Sequence, residues 1–445
     1  MKEDLFNYMK YPLEGYRILD FGTAWAGPQV GQILTDLGAE VIKIESRKKM
    51  DGARLGRPIV SEDITGGDTG KWPDMQPVFH GLNRNKLSFT VDAKNPRGLS
   101  LIQQLVKISD VVSDNYSPGA MARLGLDYDS LKEIKPDIIS ISLTACGENG
   151  SLRDAIIYAP SIISLGGLTS MIGYHGEDEP LQVMSAYGDA NASIHGAFAV
   201  LVALWHREMT GQGQHIELSE SESVLSLLGE GIMEYMMNGR NPGLQGNYHP
   251  VLCPHEAYPC SGTDKWIAVA VETDDDWRNF CKAINHPEWI EDPRFIHIDN
   301  RLNNRQELDK LIADVTINYT PSDLAGILQK VKVAATPVLN IEEQYIDPQF
   351  IDRKTYVEIE HPLIGMELLP GVPFRLSKTP GEIRKPAPSL GEHNDYVLGD
   401  LLNLSHCYVY LWQNTLFYLN SPAGYKSLMY CFSDFSRAYT ISYYI

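Results

Sequence analysis

The chain has 445 residues, 43% hydrophobic, 21% charged and 9% aromatic, with a formal charge of −19 at pH 7. This length suits two or three structural units around a sizeable core, and no apolar run approaches the roughly 18 residues that a membrane helix needs. The acidic balance argues against a dedicated nucleic-acid binder, six cysteines in so long a chain do not make a disulfide framework, and the charged opening MKEDLFNYMKYPLEGYR lacks a secretory core, which predicts a cytoplasmic protein.

In chain order, RILDF (Arg17–Phe21) predicts a strand and Pro28–Leu37 a helix with Pro28 at its first position. Gly38 closes that helix, and EVIKIE (Glu40–Glu45) predicts a strand that alternates apolar and polar faces. Lys94–Ser109 predicts a helix, and Asp110–Ser113 and Asp137–Leu143 predict strands. This alternation is the mark of βαβ units and a mostly parallel sheet. A long helix is predicted over Asp189–His206, a strand over Gln214–Leu218 and a helix over Glu220–Met237, before the Gly/Pro/Asn-rich stretch from Gly239 to Pro250. WIAVAV (Trp266–Val271) opens a second unit with helices near Asp274–Ile284, Asn304–Asn318 and Pro321–Val331. A proline-rich return segment follows. The last forty residues hold twelve of the forty-two Phe, Trp and Tyr residues but only three charges, and show neither clean helical nor strand periodicity. Translation past a frameshift or an altered stop, or an added packed segment, would account for them.

Several patterns bear on chemistry. The turn FGTAWAGPQVGQ lacks GxGxxG, and no phosphate loop of nucleoside triphosphate enzymes is present, so nicotinamide and triphosphate chemistry are set aside; the turn is either a ligand cradle or a plain sheet connection. Six cations between Lys43 and Arg57 (Lys43, Arg47, Lys48, Lys49, Arg54, Arg57), followed by Arg84, Lys86 and Lys94, form either a phosphate-binding patch or a solvated loop. Asn115-Tyr116-Ser117-Pro118-Gly119 reads as a turn capped by Ser117, able to meet a phosphate and a purine or simply to start a helix. Asp189, opening the long helix, is either a cap or a nucleophile kept ionised by the helix dipole. Cys253, His255 and Cys260 lack paired CxxC spacing and are assigned no metal; the SESES run at 219–223 lacks the GxSxG elbow.

Taken in order, LDFGTAWAGPQVGQILTDLGAEVIKIE, LNRNKLSFTVDAKNPRG, DVVSDNYSPGAMARLGLDYDSL, GDANASIHGAFAVLVALWHREMTGQGQHIELS, WIAVAVETDDDWRNFCKAI, ATPVLN and PFRLSKTPGEIRKPAPSLGEHNDYVL resemble the class III CoA-transferases over about residues 10–404. The resemblance implies an α/β fold: a doubly wound, mostly parallel Rossmann-like sheet with a second, smaller α/β domain, and two ring-shaped chains interlocked as a dimer. It places the large domain at 1–225, completed by 365–405, a linker at 226–245, the small domain at 246–335 and a return linker at 336–364, leaving 406–445 unassigned. It makes Asp189 the catalytic nucleophile, passing through an acyl-aspartyl anhydride and an aspartyl-CoA thioester. Coenzyme A is then a substrate, and no permanently bound cofactor is required. The contacts to coenzyme A map onto Val91, Lys94, Asn115, Tyr116 and Arg123. Ser46 stands where an arginine is expected, so Arg47 is taken instead. The glycine-rich loop of formyl-CoA transferase has no counterpart, which disfavours a formyl or oxalyl substrate, while DGARLGRP and LNRNK resemble the benzylsuccinate branch. These features lead to the expectation of a succinyl donor and a hydrophobic or aromatic dicarboxylate acceptor, with acyl-CoA and carboxylic acids as the only partners besides a second copy. The alternatives are a racemase, weakened by Tyr158 where that branch carries a histidine, and one subunit of a heteromeric transferase.

Overall fold

The computed structural model describes residues 10–57, 66, 68–184 and 186–405; the aromatic segment from His406 lies outside them. The chain divides into two compact units, one formed by the described residues up to Ile157, Gly188–Ser223 and those from Val357 onward, the other by Tyr158–Tyr187 and Val224–Tyr356.

The first unit is built on six parallel strands, β1 (Arg17–Asp20), β2 (Glu40–Glu45), β3 (Leu87–Thr90), β4 (Val111–Asp114), β5 (Ile139–Thr144) and β6 (His215–Ser219), in the order β3-β2-β1-β4-β5-β6. Successive strand residues point to opposite faces, and both faces are covered. Ile18, Val41, Val111 and Ile141 pack with Val30 and Leu34 of α1 (Ala26–Asp36), whereas Leu19, Ile42, Phe89 and Val112 pack with Leu101, Ile102 and Leu105 of α2 (Pro96–Lys107). A four-residue helix, α3 (Ala120–Arg123), follows β4, and the 24-residue α4 (Tyr187–Thr210) adds Ala197, Val200 and Leu204 to the α1 face.

Two local expectations change. EVIKIE does not alternate between core and solvent, because β2 lies inside a sheet covered on both sides; Val41 to Glu45 are all buried. The helix predicted from Pro28 begins at Ala26, which puts the proline third, where its missing N–H still costs no helical bond.

The predicted helix over Glu220–Met237 is two helices, α5 (Glu220–Leu225) and α6 (Gly229–Asn238). The break falls before Gly229, a weak helix former, close to where the chain passes into the second unit. That unit pairs β7 (His255–Pro259), β8 (Trp266–Ala270) and β9 (Ala334–Pro337) antiparallel, against α7 (Asp274–Ala283), α8 (Arg305–Thr316) and α9 (Pro321–Lys330). Trp277, Phe280, Leu308, Leu324 and Tyr258 fill its core, and a Thr273–Asp276 capping box starts α7. No helix among the described residues is long and apolar enough to cross a membrane.

Candidate active site

In an open parallel sheet, ligands collect at the carboxyl ends of the strands, where the strand order reverses. Here the reversal lies between β1 and β4, and the side chain of Asn115 bridges it. Its Oδ1 accepts from the Thr23 N–H at 2.8 Å, and its Nδ2 donates to the Thr23 carbonyl at 2.9 Å. The GTAWAG turn is fixed from below as well. Asp20 accepts the Gly22 N–H at 2.7 Å, Asp51 accepts the Ala24 N–H at 2.8 Å, and Lys43 Nζ donates to the Gly22 carbonyl at 2.7 Å. Such a turn is ordered before a ligand arrives, so little ordering cost remains at binding.

The run of cations is thereby divided. Lys43 and Arg54 are buried and paired, with Asp51 at 2.9 Å and with Glu45 at 2.7 Å; Arg84 pairs with Asp36 and Lys86 with Asp20, each at 2.7 Å. These four are internal counter-ions and not a phosphate surface. Burial opposes ionisation of Asp51, yet Lys43 beside it holds the carboxyl below its usual range. Arg47, Lys48 and Lys49 remain exposed after β2; Arg47 reaches the Leu390 carbonyl at 3.3 Å and Lys48 pairs with Asp92 at 2.7 Å.

The residues predicted to contact coenzyme A follow the same sheet edge. Val91, just past β3, is buried and donates its N–H to the Glu45 carbonyl at 2.8 Å, while Lys94 is exposed three residues on. Tyr116 follows β4, half-buried against the α2-side core, and burial pushes its hydroxyl up to about 12. Ser117 and Pro118 do not open a helix. Gly119 precedes α3 in the left-handed region at φ +75°, and a Cβ there would lie 3.3 Å from a guanidinium nitrogen of the exposed Arg123. Asn115 is present at the edge, with both its amide oxygen and its amide nitrogen bonded to Thr23.

Asp189 sits in the first turn of α4, preceded by the buried Gly188. Its Oδ2 is buried and has no hydrogen-bond partner among the described residues. Burial pushes its carboxyl up to about 6, so desolvation outweighs the helix terminus expected to favour the ion. At neutral pH it is still mostly a carboxylate, partly withdrawn from solvent. Ser193, one turn later, ties this aspartate to the cradle. Its Oγ lies 2.6 Å from the Asp189 carbonyl and 2.9 Å from the Ala26 carbonyl. One residue that sequence reasoning passed over is brought to the same place. Glu220, at the junction of β6 and α5, is buried, and burial together with the Asp189 charge pushes it up to about 8. The serine-rich run around it lacks the GxSxG elbow and carries no local signal for this glutamate.

A doubly wound sheet with a prearranged turn at its reversal point and a buried carboxylate oxygen on an adjoining helix has the form of a ligand-binding α/β enzyme. The chain belongs to CoA-transferase family III, which it matches over residues 13–394. It is 34% identical over 395 residues to a succinyl-CoA–D-citramalate CoA-transferase of Chloroflexus aurantiacus, covering 88% of this chain and 95% of that one. It is 32% identical over 394 residues to a succinate–glutarate CoA-transferase of Agrobacterium fabrum, covering 88% and 96%. Among solved structures it is similar to a CaiB/BaiF family protein from Brucella suis, with a TM-score of 0.79, 30% identity, and coverage of 88% of this chain and 100% of that one. The protein is a CoA-transferase, and CoA thioesters are its substrates.

Proposed function

We propose that the enzyme moves coenzyme A from succinyl-CoA to a dicarboxylate acceptor with Asp189 as the nucleophile. An Asp189 oxygen attacks the thioester carbonyl, the C–S bond breaks, and an acyl-aspartyl anhydride forms as CoA thiolate leaves. The thiolate attacks the aspartyl carbonyl and expels succinate, leaving an aspartyl-CoA thioester. The acceptor carboxylate repeats the two steps in reverse order, taking coenzyme A and restoring Asp189. One negative charge is handed on at every step, and no water or net proton is consumed. Lys94, Arg123 and Arg47 meet the phosphates, Val91 and Tyr116 flank the nucleotide, and Asn115 shapes the turn beneath it.

The observation that carries this reading is the Asp189 Oδ2, buried and without a hydrogen-bond partner among the described residues, on a residue whose main-chain carbonyl shares the Ser193 hydroxyl with that of Ala26 in the turn at the sheet reversal. A succinyl donor is supported by the similarity to two transferases whose names carry succinyl-CoA or succinate. Incubation with succinyl-CoA and a panel containing D-citramalate, glutarate and benzylsuccinate, read by mass for new thioesters, identifies the acceptor. Asp189→Asn should abolish transfer while CoA still binds, and quenched wild-type enzyme should carry coenzyme A on the Asp189 peptide. Undiminished turnover by Asp189→Asn would sink the assignment. Because the carboxylate form attacks, kcat/KM should also fall as pH drops through about 6.

The active form is proposed as a homodimer with the interlocked arrangement that the resemblance implies. Supporting it is a row of large apolar side chains on one face of α4: Ile194, Phe198 (66% exposed), Val202, Trp205 (69% exposed) and Met209. Full activity of the purified chain alone is the expected result; activity only with a second, homologous chain would establish a heteromer instead.

A further inference from the structure

Glu220 has no task in the transfer chemistry, yet it is only 5% exposed and its Oε2 is buried with no hydrogen-bond partner among the described residues. The hydroxyls around it are turned elsewhere. Ser219 and Ser221 face each other at 3.1 Å, and Ser223 donates to the Glu220 carbonyl at 2.7 Å. The amide of Asn191, in the same helical turn as Asp189, donates to the Ser223 carbonyl at 2.7 Å and ties the two segments together. Of the titratable groups on neighbouring elements, Asp189 of α4 acts on Glu220. Glu148, after β5, pairs with His215 of β6 at 3.1 Å and donates its N–H to Glu217. Two carboxyls, each with a buried and unpartnered oxygen, thus interact, and among the described residues no cation acts on Glu220 to offset a second charge.

We propose that Glu220 is a positioning residue for the transfer: as the neutral acid it keeps the Asp189 pocket at a single negative charge. This rests on the reading of Asp189 as nucleophile. Every participant that enters or leaves is an anion: the donor acid, the acceptor acid and the CoA thiolate. A charged Glu220 would oppose all of them, and burial with Asp189 alongside moves its ionisation up to about 8.

The test is the pH profile of kcat/KM for succinyl-CoA from pH 6.5 to 9.5, each variant normalised to its own value at pH 7. Wild type should lose about tenfold between pH 7 and 9, as expected for titration of one essential group near pH 8. Glu220→Gln, neutral at every pH, should lose less than about twofold. An identical alkaline fall in Glu220→Gln, a flat wild-type profile, or a folded, CoA-binding Glu220→Gln with no transfer at any pH would each overturn the proposal. Should Glu220→Gln fail to fold, Glu220→Met is read in the same way. Asp189→Asn separates the two readings: activity there removes the nucleophile whatever the alkaline limb does, whereas its inactivity with a flat wild-type profile removes only the role of Glu220.

Discussion

Lys86 and Asp20 show how buried charges hold the turn at the sheet reversal. Both side chains are fully buried, 2.7 Å apart, and Lys86 also donates to the Pro28 carbonyl at 2.6 Å and to Asn83 at 2.9 Å. Burial lowers the Lys86 ammonium to about 8, so it is cationic at neutral pH and balances an aspartate that also fixes Gly22. Lys86→Met should therefore destabilise the enzyme by about 3–5 kcal/mol, since it strands a buried carboxylate. Urea denaturation at pH 7 measures this. A loss below about 1 kcal/mol would show that water or another donor replaces the lysine. Sequence shows Lys86 as one cation in a basic run, and the partner 66 residues away that makes it internal has no local signature.

At the scale of elements, the loop–helix junction is the part that geometry constrains most tightly. Gly27 in α1 is packed so closely that a Cβ would lie 2.8 Å from Gly22 Cα and 2.9 Å from Asn115 Oδ1. Asn115 is already held on both sides by Thr23, so Gly27→Ala must shift the turn. We expect a loss of about 1–3 kcal/mol in stability and a larger rise in KM for the CoA thioester than for the acceptor acid. Steady-state kinetics with each substrate varied in turn checks this, and equal changes in both would count against the turn as the CoA cradle. The strands and the long α4 were legible because apolar periodicity survives in a single sequence. Element ends were less so: Ser117 and Pro118 have the composition of a helix start, but a left-handed Gly119 supplies it instead.

For the whole molecule, α4 presents one face to the sheet and leaves Phe198 and Trp205 outward, an arrangement suited to a second copy. Light scattering should give twice the chain mass, and Trp205→Glu should shift it toward the monomer because a charge would be buried in the interface. A wild-type monomer would leave the apolar face unexplained. The grouping of Tyr158–Tyr187 with the later unit is decided by contacts between segments distant in sequence, and no composition shift announces it.

By itself the sequence determined the alternation of strands and helices, and with the family resemblance it determined a CoA-transferase and singled out Asp189 as the expected nucleophile. Those conclusions depend on local periodicity and on motif order, both of which are written along the chain. Only the tertiary structure decided which charges are internal, that burial raises Asp189 instead of the helix end lowering it, and that Glu220 lies close enough to feel its charge. The reason is physical: desolvation and charge pairing depend on what surrounds a group in space, and a strand and a helix 31 residues apart set that surrounding only when the chain folds.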